Sequence, residues 1–149
     1  MTQVGQISES LEDYLKIIYQ LEQERRVARV KDIAARKGVR MASVTGALRR
    51  MSKEGLVNYG AREFVELTEE GADLARKVLQ RNDFLRRFLH STLGVDTDTA
   101  ERDACAVEHH LSSETLARLA AFYQFMDTYG LSRNLDRFLE DGVSVPCEE

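Results

Sequence analysis

Apolar residues recur at helical spacing on both sides of Gly38, in two stretches that together span residues 30–56. They are Val30, Ile33 and Ala34 in the first stretch, and Val44, Ala47, Leu48 and Met51 in the second. Spacings of three and four residues are typical of amphipathic helices that bury one stripe. The pattern therefore predicts two helices joined by a tight turn at Gly38 and Val39. This is the arrangement of a helix-turn-helix, whose second helix enters the DNA major groove.

The charge of this segment strengthens the interpretation. Residues 25–53 hold ten Lys or Arg residues against one acid, Asp32, and so carry +9 in a chain whose net charge is −4. A local basic surface neutralises DNA phosphates even when the whole chain is acidic. A solvated helix face would also be charged, since charged residues make up 31% of the chain. The positive charge coincides with the helix-turn-helix pattern, which favours nucleic-acid binding.

Other elements flank the helix-turn-helix. Helical periodicity predicts a first helix from residue 11 to about residues 24–26, a long helix over 69–92, and further helices over 96–111, 114–128 and 134–140. Two β-rich runs, 56–59 and 64–67, flank a glycine-bearing turn and predict a hairpin with Arg62 at its tip. The sequence therefore predicts a mainly α fold: an N-terminal winged helix-turn-helix with a small β-hairpin wing, joined by a long helix to an α-helical domain.

Composition and motifs exclude several classes of protein. A chain of 149 residues with 43% apolar content suits one domain or two small ones. No segment approaches the ~20 apolar residues of a membrane span, and the N-terminus lacks the apolar region of a signal peptide. We therefore expect a cytoplasmic protein with no membrane partner. A glycine-rich phosphate loop, a nucleophile elbow and a His-rich zinc motif are absent from the sequence, so we do not expect an enzyme.

One predicted helix of the second half carries side chains that bind metals. Cys105, Glu108 and His109 are spaced i, i+3 and i+4, which places a thiol, a carboxylate and an imidazole on one helix face. These ligands together suit a borderline first-row divalent ion such as Fe(II), Mn(II) or Zn(II), and are wrong for Mg(II). The spacing alone also fits a buried cysteine beside a surface glutamate and histidine. The spacing of Asp13 from Ser10, in turn, fits a capping box with no ligand role.

Four motifs in the same order resemble the diphtheria toxin repressor family, the DtxR/MntR-type metal-dependent transcriptional regulators. They are LEDYLKIIY at residues 11–19, ARVKDIA at 28–34, SVT at 43–45 and EHHLS at 108–112. The resemblance implies a winged-helix DNA-binding domain over 1–72, a helical metal-binding and dimerisation domain over 73–141, and a tail over 142–149. We expect the short form, similar to the manganese regulators, without the SH3-like domain that some members carry.

The resemblance also implies a set of metal ligands, namely Asp13, Cys105, Glu108 and His109. The metal is expected to be Fe(II) or Mn(II). Two positions depart from the family pattern: Lys16 stands where manganese-type members place a carboxylate, and Asn82 where both branches usually place a histidine. An ammonium group repels a nearby cation, and a neutral amide is a poor replacement for imidazole. We therefore expect one metal site rather than two.

Carried over to function, the resemblance implies a repressor of iron- or manganese-homeostasis genes. Metal binding would order a homodimer whose recognition helices reach successive major grooves of a palindromic double-stranded DNA operator. Base-edge contacts are expected from Arg40, Ala42, Ser43 and Thr45. Further DNA contacts are expected from Lys31, Arg49, Arg50 and Arg62.

Three other functions account for less of the sequence. The nearest is a winged-helix regulator that has lost metal sensing, in which Lys16 acts as a built-in cation. A metallohydrolase would need an open coordination position beside a substrate pocket and a general base. A purely structural interaction protein would leave the +9 segment without a role.

Overall fold

The computed structural model describes residues 8–25, 27–60 and 64–130. Its elements in chain order are α1 (Glu9–Arg25), β1 (Ala28–Arg29), α2 (Val30–Lys37), α3 (Met41–Lys53), β2 (Val57–Tyr59), β3 (Phe64–Leu67), α4 (Glu69–Arg87), a π-helical turn (Phe88–Thr92), α5 (Thr97–Glu108) and α6 (Ser113–Thr128). The predicted mainly α class with a small sheet is confirmed. Arg62 at the wing tip, the predicted helix over 134–140 and the tail lie outside the described residues.

The chain forms two compact units, Met1–Leu79 and Gln80–Glu149, and the boundary falls inside α4. The first unit contains the helix-turn-helix and the sheet, and the second contains α5 and α6. Among the described helices, none has the length and apolar character needed to cross a membrane.

The core of the first unit is built from the apolar stripes that the sequence pattern predicts. Leu15 and Ile18 of α1, Ile33 of α2, and Leu48 and Met51 of α3 are all completely buried in one cluster. Burying a side chain of this size contributes roughly 1.5–3 kcal/mol relative to leaving it exposed. The three stripes face one another, so the remaining faces of α2 and α3 are left for solvent or a ligand.

The turn between α2 and α3 requires a glycine. Gly38 has a φ of 71° in the left-handed region, and the amide of Val39 donates to the carbonyl of Ala34. A left-handed residue after the last helical turn is the usual way to satisfy orphan carbonyl groups at a helix end. The predicted turn at Gly38 and Val39 is confirmed.

The sheet has three antiparallel strands in the order β1-β3-β2. β2 and β3 form the predicted hairpin, with Val57 opposite Leu67 and Tyr59 opposite Val65. β1 pairs with the other edge of β3, placing Ala28 opposite Val65. The sequence analysis missed β1 because two residues are too few to show an alternating pattern.

The corner between β3 and α4 is closely packed. The Thr68 hydroxyl oxygen accepts from the amide of Gly71 at 3.0 Å, so Thr68 begins the helix in the manner of a side-chain cap. The carbonyl of Leu56 accepts from the amide of Thr68. A Cβ atom added at Gly71 would lie 2.0 Å from the Leu56 carbonyl oxygen. This position of the helix therefore accepts only glycine without a shift of backbone.

In the second unit, side-chain caps begin α5 and α6. Asp96 accepts from the amide of Thr99 ahead of α5, and Ser112 accepts from the amide of Thr115 ahead of α6. The α-helix predicted to run to Thr92 instead ends at Arg87, because the last turn widens to a π-helix over Phe88–Thr92. Phe88 also takes part in an aromatic cluster with Phe84 and Tyr123, with ring centroids 5.9–6.4 Å apart.

α6 exposes apolar surface. Among its aromatic residues, Phe122 and Phe125 are 51% and 52% exposed, and Tyr129 just beyond its end is 67% exposed. Met126 is the one residue of α6 that is fully buried. A cluster of exposed aromatic residues on one helix is typical of an interaction surface rather than of a solvated face.

We predict that Gly71→Ala destabilises the first unit by about 2 kcal/mol or more, because the added methyl group meets backbone that cannot rotate away. Urea unfolding followed by circular dichroism measures the change. Gly46→Ala is the matched control, since nothing lies within 4 Å of a Cβ at that helical position. Alanine there should stabilise the chain by roughly 0.5–1 kcal/mol. Equal effects of the two substitutions would contradict the packing described for Gly71.

A second prediction concerns Glu22 of α1, whose Oε1 accepts from the amide of Leu67 at 2.8 Å. Burial raises the pKa of this carboxyl above 4.5, and the charge of Glu66 adds to the rise. Because the pKa is raised, the folded state binds the proton of Glu22 more tightly than the unfolded state does. The stabilisation from this proton is present below about pH 4.5 and is lost as the pH rises through the folded pKa.

Glu22→Gln keeps an oxygen acceptor and removes the titration. The free energy of unfolding of this variant should match that of the wild type at pH 4 and exceed it at pH 7. Parallel urea titrations at the two pH values measure this difference. If the free energies of unfolding of the two proteins differed by the same amount at both pH values, the raised pKa of Glu22 would not be the cause of that difference.

Candidate metal centre and DNA-binding surface

The buried side of α5 follows a four-residue repeat. Ala100, Ala104 and Glu108 lie along one stripe and are all buried. Glu108 is only 1% exposed, which is unusual for a glutamate. A carboxylate is taken out of water at a high cost unless positive charge or hydrogen-bond donors compensate it. Glu108 is therefore the best candidate for a functional group on this helix.

His109 accompanies Glu108 at the end of α5. Its Nε2 atom lies 3.3 Å from Oε1 of Glu108, and the two side chains are 8% and 0% exposed. The structure thus brings together two of the predicted metal ligands, an imidazole and a carboxylate, in a location of low solvent access. The next residue, His110, is exposed.

Cys105 is on the solvent side of this arrangement. It follows the buried Ala104 by one residue and is itself exposed, as a free thiol. Successive residues of a helix are about 100° apart, so a residue next to the buried stripe turns toward solvent. The expectation that Cys105 shares one site with Glu108 and His109 stays a prediction.

Asp13, the ligand predicted in the first unit, lies between two ammonium groups. Its Oδ1 atom is 3.0 Å from Nζ of Lys16, one helical turn further along α1, and its Oδ2 atom accepts from Nζ of Lys37 at 3.1 Å. α1 begins at Glu9, so Ser10 lies inside the helix rather than at its N-cap. The capping-box interpretation of Ser10 and Asp13 is therefore wrong.

The lysines determine the ionisation of Asp13. Burial by itself raises the pKa of the Asp13 carboxyl, but the hydrogen bonds and positive charges of Lys16 and Lys37 outweigh it and hold the pKa below 3.8. The group is therefore a carboxylate at neutral pH, which is the form that binds a metal ion.

These residues fit a first-row divalent ion by their donor chemistry. A buried glutamate with an adjacent imidazole and an ionised aspartate supply oxygen and nitrogen ligands, to which Cys105 adds a thiol. Carboxylate and imidazole together suit Mn(II), Fe(II) and their neighbours. The two lysines at Asp13 oppose a cation there, so any ion at this carboxylate competes with them.

The DNA-binding surface predicted on α3 is exposed. Val44, Leu48 and Met51 face the core, so the opposite side is left open to solvent. Six of the predicted contact residues are exposed and a seventh, Thr45, is half-buried; the exposed ones are Lys31, Arg40, Ala42, Ser43, Arg49 and Arg50. The structure thus presents a basic surface at the helix-turn-helix, while the DNA contacts themselves stay a prediction.

Two of these side chains already have partners within the protein. The Thr45 hydroxyl donates to the carbonyl of Met41 at 3.1 Å, and Nε of Arg50 donates to Oε1 of Glu54 at 3.2 Å. At the first strand of the sheet, the Arg29 guanidinium lies over the exposed ring of Phe64, 5.3 Å from its centroid. Arg49 is consequently a better probe of DNA contact than Arg50, because Glu54 already neutralises part of the charge of Arg50.

Lys37 is the residue of this region that sequence reasoning missed. It was counted only as part of the basic segment, although its ammonium group contacts Asp13 and lies 4.9 Å from the centroid of the Tyr14 ring. No spacing rule pairs it with Asp13, because 24 residues separate the two and only the packing of α1 on α2 brings them together.

Two family models match the chain, one for each half. The model described as the iron dependent repressor, N-terminal DNA binding domain matches residues 6–63. The model described as the iron dependent repressor, metal binding and dimerisation domain matches residues 68–130. Together they cover most of the chain and include the helix-turn-helix, α5 and α6, while β3 lies in the short gap between the two matches.

Individual relatives agree with these matches. The chain is 35% identical over 118 residues to the HTH-type transcriptional regulator MntR of Lysinibacillus sphaericus, covering 79% of this chain and 84% of the relative. It is 39% identical over 116 residues to the transcriptional regulator MntR of Escherichia coli, covering 78% and 74%. A solved manganese-dependent transcriptional repressor in complex with manganese matches with a TM-score of 0.66 and 32% identity, over 77% of this chain. This chain spans only 53% of that structure.

Proposed function

The chain belongs to the iron dependent repressor family of metal-dependent transcriptional regulators, and we propose that it represses metal-homeostasis genes in response to Fe(II) or Mn(II). The observation that carries this proposal is the match of both halves, a DNA-binding domain and a metal-binding and dimerisation domain, in one chain. The exposed basic surface of α3 and the buried Glu108 and His109 pair support it independently. The protein acts in the cytoplasm, on a double-stranded DNA operator.

The metal ion binds to Asp13, Cys105, Glu108 and His109. Cys105 and Glu108 lie on α5, His109 directly follows it, and Asp13 lies on α1, so one ion held by all four would link residues of the DNA-binding domain (1–72) to residues of the metal-binding and dimerisation domain (73–141). A ligand shifts an equilibrium only by its differential affinity for the two states. Ligands drawn from both domains supply such a difference, because they must be correctly placed at the same time for tight binding.

The active form is a homodimer bound to a palindromic operator. The exposed aromatic residues at the C-terminal end of α6 supply an apolar surface of the kind that two copies bury against each other. In each copy, α3 lies in the major groove, with Arg40, Ala42, Ser43 and Thr45 near base edges. Phosphates are contacted by Lys31, Arg49 and Arg50 and, from the predicted wing, by Arg62.

The metal site is tested by anaerobic calorimetric titration of the reduced protein with Fe(II) and with Mn(II). We expect one ion per chain. Glu108→Gln should weaken binding at least tenfold, because it removes a negatively charged ligand from a buried location without changing its shape. Cys105→Ala should weaken the binding of Fe(II) more than that of Mn(II), since a thiolate prefers the softer ion.

Glu114→Gln is the control for the metal titration. Glu114 is a glutamate of α6 whose side chain is 75% exposed and pairs with Arg118, so the same change of charge there should leave metal affinity unaltered. An absence of metal binding by the wild type would favour a regulator of this family that no longer senses metal.

The DNA-binding surface is tested by the salt dependence of binding to a random-sequence duplex. Arg49→Ala should weaken binding and lower the magnitude of the slope of log K against log salt by about one, the loss of one phosphate contact. Arg40→Ala should also weaken binding, because it removes a positive charge from the same surface. Fluorescence anisotropy across a series of salt concentrations measures both quantities.

Arg118→Ala is the matched control for this measurement, because its side chain is 79% exposed on α6, in the other half of the chain. It removes the same charge and should leave the salt slope unchanged. If all three variants kept the affinity and slope of the wild type, α3 would not be the element that meets DNA.

A further inference from the structure

The ammonium group of Lys37 is held by two consecutive residues of α1. Its Nζ atom donates to Oδ2 of Asp13 at 3.1 Å and lies 4.9 Å from the centroid of the Tyr14 ring. Lys16 contacts the other carboxylate oxygen at 3.0 Å. The lysine side chains are only 18% and 13% exposed, so water screens these contacts less than at the protein surface.

A metal ion at Asp13 needs at least one of the same two oxygens. A divalent cation within a few ångströms of an ammonium group repels it, and the repulsion is strongest where water is largely excluded. Lys16 is attached to the same helix as Asp13, one turn away, so its contact with Asp13 joins two residues of α1. Lys37 belongs to α2, and its displacement breaks a contact between two elements.

Lys37 also occupies a special position in the helix-turn-helix. It is the last residue of α2 and directly precedes Gly38, whose left-handed conformation turns the chain toward α3. A change in what Lys37 contacts therefore acts one residue from the turn that orients the recognition helix. This link lies entirely within the first unit, which contains Asp13, α2 and α3.

We propose that Lys37 is an internal competitor of the metal ion for Asp13, and that metal binding releases its ammonium group from α1. The inference rests on the proposed metal site at Asp13. Coupling of two binding events is reciprocal, so if metal weakens the contact between Lys37 and Asp13, that contact weakens metal binding in return, and removing the Lys37 ammonium group should strengthen metal binding. Lys37 thus sets the metal concentration at which the regulator responds, and connects the metal ligand Asp13 to the helix-turn-helix.

The reciprocity is tested by titrating Mn(II) into the full-length reduced protein and its Lys37→Met variant. Methionine keeps the length of the side chain and removes the charge. We expect Lys37→Met to bind Mn(II) about three- to tenfold more tightly, the range for loss of one typical hydrogen bond. Lys37→Arg keeps the positive charge and should bind like the wild type.

Lys77→Met is the charge-matched control, because Lys77 is an exposed lysine of α4 in the same unit. It should leave the affinity unchanged if the effect of Lys37 comes from its contact and not from net charge. Thermal unfolding of each metal-free variant checks the fold, and Lys37→Gln replaces Lys37→Met if the latter fails to fold.

A second readout follows the side chain itself. The protein is labelled with 13C at lysine, and the NMR signal of the Lys37 Cε–Hε group is assigned by its loss in Lys37→Met. When diamagnetic Cd(II) is added, this signal should move toward the position of a solvated lysine. A merely structural role of Lys37 in packing α1 on α2 would leave this signal in place.

The outcomes separate this inference from the proposed function. In one outcome the wild type binds metal while Lys37→Met binds it with equal affinity, and in another the wild type binds metal while the lysine signal does not move. Either result would overturn the role of Lys37 and leave the proposed function as a metal-dependent repressor standing. Absence of metal binding in both the wild type and Lys37→Met would overturn both. The inference is supported if Lys37→Met binds metal more tightly while Lys37→Arg and Lys77→Met do not, and if the lysine signal of the wild type shifts.

Discussion

The packing of α1 against α2 and α3 is the constraint on which the DNA-binding half depends. Their buried stripes form one core, and that core leaves the basic side of α3 open to solvent. The same packing brings Lys37 of α2 to Asp13 of α1. Asp13, the proposed metal ligand, and the turn of the helix-turn-helix are therefore near each other because three apolar stripes must be buried together.

Charge is distributed over the chain so that each half suits one partner. The helix-turn-helix segment carries +9, while from Gly94 onward there are twelve acids and four bases. DNA attracts a basic surface over distances of about a Debye length, and DNA repels an acidic surface. The acidic second half is therefore unsuited to contact with phosphate. It contains the exposed aromatic residues of α6 and matches the model of a metal-binding and dimerisation domain.

Two polar groups have locations that serve chemistry better than stability. Glu108 is fully buried at the end of α5, and Asp13 is shared by two lysines. Burying a carboxylate costs free energy that an alanine at the same position would not cost. Both locations are consistent with the proposed ligand roles, in which a divalent cation would lie beside Glu108 and would compete with the lysines for Asp13.

Periodicity and turn chemistry were enough to predict most of the fold, because the stripes of α1, α2 and α3, the turn at Gly38 and the β2–β3 hairpin are all local patterns. The candidate ligands on α5 could be named from their spacing and from the family resemblance, but not their environments: spacing does not reveal that Glu108 is buried while Cys105 is exposed. β1 and the widened turn at Phe88–Thr92 also escaped, since the first is two residues long and the second differs from an α-helix only in its hydrogen bonds. The contact of Lys37 with Asp13 joins residues 24 positions apart, and such a contact exists only once the helices have packed.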